Sequence, residues 1–317
     1  MIKRTLFSVL SVVLSPLAIA AEITPARLLA SYWVNSSAGL DISGLSFCSG
    51  GLLAVSDKNS EEIYTLEFRD GSADLESHLR LSGLGIPEQD EPVSAWEGFK
   101  ELFRPAEDLD FEGVTCSDGQ VYLVSEHYNR IAIVDNEGNA RWQEHSWSAL
   151  ARSHGFLQKT NASSEGLVKA DDTFWVAMER EPRGLLRLNA DGGASTLTLP
   201  QVDGLDFAGR SEDLAGLDYY DGALFTLERN AHAVCRRALP SLEAEWCLDY
   251  RSLEESPERV YEETRYGKGE GLAVGEQGIF VVLDNNNVGR AQAPDDKRAL
   301  LLHLAMPEEA VNKQYKQ

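Results

Sequence analysis

The chain predicts an all-β fold of the β-propeller kind, with five four-stranded blades as the count and six as the alternative. Three observations predict it. A short phrase recurs five times: polar or acidic residues, a Gly, then an apolar stretch ending on a carboxylate. The copies run Gly44 to Asp57, Gly113 to Glu126, Gly166 to Glu179, Gly216 to Glu228 and Gly271 to Asp284, with 13 residues from Gly to acid in four copies and 12 in the fourth. Near-fixed self-similarity means repeated supersecondary units sharing a core. Each copy also carries a turn signal at its middle, which makes it a hairpin. The stretch after the turn is apolar on both faces, as in Leu53 to Val55, Trp175 to Met178 and Phe280 to Leu283. Such a strand needs cover on both sides, and a blade between two neighbouring blades has it.

The elements follow in order. Ala26 to Val34 precedes the first hairpin and has no unit of its own. The first hairpin turns at Gly50-Gly51, and Ile63 to Phe68 and Leu75 to Leu81 complete its unit. The second turns at Asp118-Gly119, followed by Ile131 to Asp135 and Ala140 to Glu144. The third turns at Asp171-Asp172, followed by Leu185 to Asn189 and Ala194 to Leu199. The fourth turns at Asp221-Gly222, followed by Ala233 to Leu239 and Ala244 to Tyr250. The fifth turns at Glu276 to Gly278 and has only Arg298 to Leu304 after it, so the N-terminal strand is expected to pair there and close the ring. Three insertions lead into acidic phrases and rim that end. Gly83 to Glu107 contains a helix candidate at Ser94 to Phe103; Ser146 to Thr160 contains another, with Trp147, Leu150 and Phe156 as its apolar members; Ser252 to Lys268 reads as a charged loop. Such rims either wall a pocket or cover blade edges.

The start of the chain, basic Lys3 and Arg4, apolar Leu6 to Ile19 and small residues at Ala18 to Ala21, has the form of a secretory leader. The expected division is residues 1–20 as signal peptide, 21–306 as one propeller domain and 307–317 as a tail, with a retained anchor helix as the alternative for the leader. No later stretch is long and apolar enough to cross a bilayer, so a periplasmic or secreted location without membrane insertion is expected. The formal net charge is -22, which argues against nucleic acid and anionic membranes as partners and suits either a cation binder or a solubility surface. Export permits disulfides. Cys235 and Cys247 flank a short turn and are expected to bridge neighbouring strands; Cys48 and Cys116 either pair across units or remain buried thiols.

Two sets of acids converge on one end. Asp41, Asp110, Glu112, Glu165, Glu212, Asp213 and Glu270 precede the Gly, while Asp57, Glu126, Glu179, Glu228 and Asp284 end the second strand. A hairpin brings its first and last residues side by side. Two like charges 4 Å apart repel by about 4 kcal/mol at an effective dielectric of 20. The crowd therefore calls for protons, basic partners, backbone donors or a bound cation. Hard oxygen ligands without clustered His or Cys select Ca²⁺ first and Mg²⁺ second. Glu112, Glu165 and Glu270, with Asp110 and Asp213, are the candidate metal ligands. The strand-end set also fits a purely architectural role in fixing blade corners. Glu126 or Glu179 is the candidate base, Lys58, Arg180 and Arg229 are candidate stabilisers of negative charge, and His127 is the one His near the acids in the repeat.

These residues resemble a bacterial family of exported propellers described by an esterase-like activity of phytase. The likeness lies in Phe111-Glu112-Gly113-Val114, Ser164-Glu165-Gly166-Leu167 and Gly269-Glu270-Gly271-Leu272, and in the strand ends Ser125-Glu126, Met178-Glu179-Arg180, Leu227 to Asn230 and Leu283-Asp284-Asn285. It spans most of the chain after the leader and implies ester or phosphoester hydrolysis. Ile42-Ser43-Gly44-Leu45 through Asp57 is also similar to a segment of calcium-activated apyrases. That likeness implies a five-bladed propeller with a central Ca²⁺. The expected function is thus an exported Ca²⁺-dependent hydrolase of a small anionic or ester substrate. The alternative is a non-enzymatic propeller with a structural metal that binds a ligand or an envelope protein.

Overall fold

The computed structural model describes residues 21–49, 51–88, 109–159 and 162–307. The leader, the helix candidate at 94–103, Gly50 of the first turn and the tail from 308 lie outside the described residues. Strand β1 (Glu22–Pro25) and β2 (Leu28–Asn35) lead into β3 (Ile42–Cys48), β4 (Gly51–Ser56), β5 (Glu62–Arg69) and β6 (Ser72–Arg80). The second unit is β7 (Phe111–Ser117), β8 (Gln120–Ser125), β9 (Arg130–Val134) and β10 (Ala140–Trp142). Helix α1 (Ser148–Ser153) precedes β11 (Ser164–Ala170), β12 (Thr173–Met178), β13 (Gly184–Asn189) and β14 (Ala194–Thr198). The fourth unit is β15 (Gly216–Tyr220), β16 (Ala223–Glu228), β17 (Ala233–Ala238) and β18 (Ala244–Asp249). A single-turn helix α2 (Arg251–Glu254) opens the insertion expected to be all loop, and β19 (Gly269–Gly275), β20 (Gly278–Leu283) and β21 (Leu300–Leu304) finish the chain's strands.

Each unit is an antiparallel meander, and β2 pairs antiparallel with β21 as the missing strand of the last one. The N-terminal strand thus closes the propeller against the C-terminal unit, as the sequence predicts. One strand was not foreseen: β1 lies parallel on β18 and adds a fifth strand to the fourth unit. Strand β2 also runs parallel to β6, which ties the last unit to the first.

The innermost strands β3, β7, β11, β15 and β19 touch in sequence, and β19 returns to β3. A separate apolar core fills each gap between neighbouring units. Leu53 and Val55 pack with Val114 and Leu123, whereas Leu52 and Ala54 pack with Phe280 and Val282. One strand therefore serves two cores, which is why its residues are apolar on both faces. Each buried Val or Leu contributes about 1.5–3 kcal/mol. The helix is shorter than the expected Ser146 to Thr160: Trp147 and Phe156 flank α1 instead of riding on it, and enter the core between the second and third units.

The repeat Gly is explained by close approach. A Cβ on Gly44 would stand 2.9 Å from the Gly113 Cα, and one on Gly113 would stand 2.6 Å from the Glu165 carbonyl oxygen. Around the ring, Gly166 abuts Leu217, Gly216 abuts Leu272 and Gly271 abuts Leu45, with 2.5, 3.0 and 2.9 Å left for a Cβ. Inner strands meet backbone to backbone at this level, and no side chain fits between them. Both disulfides form. Cys235 and Cys247 are cross-strand partners, and Cys48–Cys116 joins the first two units across 68 residues with 5.9 Å between Cα atoms. No described helix is long and apolar enough to cross a membrane.

Candidate carboxylate site at the channel mouth

The site begins with backbone register. Inner strands β3, β7, β11 and β19 each carry a bulge immediately before or at the repeat Gly. The bulged residues are Ser43, Glu112, Glu165 and Glu270, and a bulge re-aims a side chain that regular pleating would place elsewhere. Ser43, Glu112 and Glu270, with Ala215 of the fourth unit, line a small cavity on the axis together with the repeat glycines.

The second acid of each unit is set by a strand end. In the second unit the Ser125 hydroxyl donates to the Leu109 carbonyl at 2.6 Å and accepts the Tyr128 N–H at 3.0 Å, while the Glu126 N–H donates to the Asp110 carbonyl. Asp57, Glu179 and Asp284 are anchored in the same way on Asp41, Ser163 and Lys268. The residue after each repeat Gly pairs with Ala54, Leu123, Val176, Thr226 and Val281 in turn. Three residues beyond those partners stand Asp57, Glu126, Glu179, Arg229 and Asp284. This corrects the sequence alignment of the fourth unit: Arg229, not Glu228, holds the repeat-acid position. The β15–β16 pairing runs from Gly216 without a register shift, and the Gly-to-acid spacing is shorter because Glu228 stands one residue before that position. Glu228 points instead into a fully buried pair of guanidiniums, Arg237 at 2.7 Å and Arg183 at 2.8 Å.

The strand-end acid of one unit meets the pre-Gly acid of the next. Asp57 gathers with Asp110 and Glu112, and Glu126 gathers with Glu165 and Glu179; within each trio one carboxylate oxygen per residue lies within 4.8 Å of the others. Burial pushes the Glu112 carboxyl well above the usual carboxylate range, and Glu126, Asp110 and Asp57 push it further. Burial does the same to Glu165, with Glu112 and Glu126 reinforcing it. Asp57 is pushed up to about 7 by burial, against the pull of Lys58, and Asp284 to about 8 by burial with Asp41 and Glu270. Glu179 is 2 % exposed. Its Oε1 accepts from Arg180 and Arg229, whereas its Oε2 is buried without a partner among the described residues. A carboxylate oxygen left bare in a carboxylate cluster suits a cation better than a proton donor that is not there.

The structure divides the expected site residues. Glu165, Glu126 and Glu179 come together in one trio, and Asp110 and Glu112 join Asp57 in the other. Glu270 and Asp213 belong to neither. They grip Arg229, whose Nη1 lies 2.8 Å from both Glu270 oxygens and whose Nε lies 2.8 Å from Asp213 Oδ2. Burial opposes the charge on Arg229, but Glu270, Asp213 and Glu165 outweigh it and hold its pKa well above the ordinary value. Lys58 reaches Asp57 and, at 3.5 Å, Asp41, with its side chain half exposed. Arg180 sits on Glu179. His127 stands edge-on to Tyr128, with ring centroids 4.4 Å apart. Asp57 was set among the architectural strand-end acids; its meeting with acids of the next unit depends on the order of units around the ring, which its own unit does not encode.

The family described as phytase-like, with esterase-like activity of phytase, matches residues 39–181, the part that holds both trios. No curated protein matches the chain. Among solved structures, a glutaminyl cyclase of Myxococcus xanthus is similar at 12% identity and a TM-score of 0.55, over 91% of this chain and 100% of that one. A calcium-binding protein, regucalcin, of Agrobacterium tumefaciens is similar at 12% identity and a TM-score of 0.46, over 90% of this chain and 97% of that one. A gluconolactonase of Xanthomonas campestris is similar at 12% identity and a TM-score of 0.40, over 91% and 99%. At such identities the likeness to the cyclase is one of fold: this chain is a β-propeller.

Proposed function

We propose that the chain is an exported propeller that binds a divalent cation at its carboxylate-lined mouth, Ca²⁺ before Mg²⁺, and hydrolyses an ester or phosphoester of a small molecule there. One observation carries the cation: Glu126, Glu165 and Glu179 converge, and the buried Glu179 Oε2 has no partner. The donor set is all oxygen, which fits a hard cation. When bound, the cation supplies Lewis-acid polarisation of an ester or phosphoryl oxygen. Glu126, Glu165 and Glu179 hold it. Across the neighbouring seam Asp57, raised to about 7, is the carboxylate suited to accept a proton near neutral pH, with burial first and then Asp41 and Asp110 keeping it from ionising early. Lys58, beside Asp57 and half exposed, is the cation closest to a negative charge developing there. The match to the esterase-like family supports the ester chemistry, and the two disulfides support export.

A second reading is a binding propeller whose cation is structural. It is favoured by the state of Arg229, which three carboxylates already engage and which is therefore not free for an anionic substrate. Calorimetric titration of chelator-treated protein with Ca²⁺, beside a phosphatase, phosphodiesterase and esterase panel, separates the readings. Calcium binding and calcium-dependent turnover, both lost in Glu165→Gln, support the hydrolase. Binding and thermal stabilisation with no turnover support the second reading. No binding of Ca²⁺ or Mg²⁺ at pH 8 overturns both.

A further inference from the structure

We propose that Arg229 is a built-in cation of the acid ring: it stands where a metal ion would otherwise be needed, closes the sector of the third to fifth units to exchangeable cations, and aims Glu179 at the open sector. Three independent features carry this. The first is position. By strand register Arg229 occupies the place that Asp57, Glu126, Glu179 and Asp284 hold in the other four units. One acid of the ring has been replaced by a charge of opposite sign.

The second is the company it keeps. Arg229 draws together carboxylates from three successive units: Glu179, Asp213 and Glu270. A divalent cation would collect the same kind of set. Here the guanidinium does so with charge-assisted hydrogen bonds, Nη1 to both Glu270 oxygens, Nε to Asp213 and Nη2 to Glu179. Asp213 is 1 % exposed, so its charge has little access to other cations.

The third is the division of Glu179. This carboxylate lies at the border between the two sectors. Arg229 and Arg180 take its Oε1, and Oε2 is left without a partner beside Glu126 and Glu165. Arg229 is thus a positioning residue for the trio. Asp213 and Glu270, which the sequence alone nominates as ligands, serve the arginine and not a metal. The ring needs this arrangement for a charge reason: without Arg229 the carboxylates of Glu179, Asp213 and Glu270 would lose the guanidinium they share.

The inference does not rest on the hydrolase reading, and its test separates the two. Calcium is titrated calorimetrically into the chelator-treated full chain at pH 8, with wild type, Arg229→Gln and Arg229→Lys in parallel. Arg229→Gln is expected to bind one more Ca²⁺ per chain than wild type, because Glu179, Asp213 and Glu270 become a vacant ligand set. Arg229→Lys, which keeps a fixed positive charge, is expected to bind the wild-type number. A wild type that binds no calcium sinks the proposed function, yet a gain of one ion in Arg229→Gln still supports the built-in cation. A folded Arg229→Gln with the wild-type count overturns it. Should Arg229→Gln not fold without calcium, Asp213→Asn and Glu270→Gln decide the matter with Arg229 in place. Each is expected to leave the calcium count at the wild-type value with affinity changed less than 3-fold, and the loss of a bound ion in either overturns the assignment.

Discussion

Replacing Gly113 by Ala tests whether the inner strands form a tight closed ring. A Cβ there would lie 2.6 Å from the Glu165 carbonyl oxygen, 2.8 Å from the Leu167 nitrogen and 2.9 Å from Val124 Cγ1. Ordinary contact begins near 3.4 Å, so the second and third inner strands must part by about 0.8 Å. Two of the three obstacles are backbone, and no rotamer change relieves them. Nor can one seam open alone, since each inner strand is held by the next around a closed circuit. Overpacking by one methyl group costs about 1–3 kcal/mol in ordinary cores; the rigid neighbours put this case at the upper end, about 3 kcal/mol. For a chain of this size that lowers Tm by about 5 °C. Urea and thermal unfolding of Gly113→Ala measure it. Gly85→Ala is the control, because a Cβ at Gly85 meets nothing within 4 Å, and it should stay within about 0.5 kcal/mol of wild type. Equal stability of the two variants refutes the closed ring at this level. Calcium affinity should fall alongside stability in Gly113→Ala, because Glu165, whose carbonyl the new Cβ strikes, rides on the displaced backbone.

Calcium should stabilise the chain more at pH 8 than at pH 5. The carboxyls of Glu112, Glu165, Asp57 and Asp284 have folded pKa values above their unfolded ones, so the calcium-free folded state holds more protons than the unfolded state and loses stability as pH rises from about 4 toward 8. Calcium competes with the proton on Glu165; at 100-fold excess over Kd it adds about 2.7 kcal/mol, or about 4 °C in Tm. An equal Tm gain at both pH values would contradict proton competition. Replacing Cys48 and Cys116 by Ser should cost about 4 kcal/mol and replacing Cys235 and Cys247 about 3 kcal/mol, in the order of the 68- and 12-residue separations they close, as read by denaturant midpoints. Glu228→Gln should destabilise by about 3–5 kcal/mol in the same assay, because it leaves Arg237 buried without its counter-charge.

The propeller was legible because its signals are local. A turn such as Asp118-Gly119 and an apolar strand such as Phe280 to Leu283 mark a hairpin wherever they stand, and the unpartnered strand before Ile42 had one vacancy to fill. The Gly in each phrase was legible as a repeat but not as a cause, since its reason lies in the backbone of the neighbouring unit. Strand β1 was missed because Glu22–Pro25 is short and ends in Pro, and its partner β18 lies more than 200 residues away. How the acids group was not legible for a related reason. Glu112, Glu126 and Glu165 look alike in sequence, yet ring order sends Glu126 to the next unit's Glu165, and a bulge decides where each side chain points. Glu270 and Asp213 carry the same local phrase as the ligands proposed for the metal, and only the arginine between them changes their role.

That arginine also accounts for the unevenness of the copies. If all five units had kept an acid at the strand end, the mouth would carry a continuous circle of buried negative charge, and cations would have to fill it from every side. The fourth unit breaks the circle twice. Its pre-Gly position is Ala215, and its strand end presents Arg229 while Glu228 turns to Arg183 and Arg237. The two substitutions act together: Ala215 leaves room on the axis where a glutamate would have met Glu270, and Arg229 takes the charge of the units on either side. A ring so interrupted has one sector held by the fixed charge of Arg229 and another, spanning the first three units, that holds the two carboxylate trios.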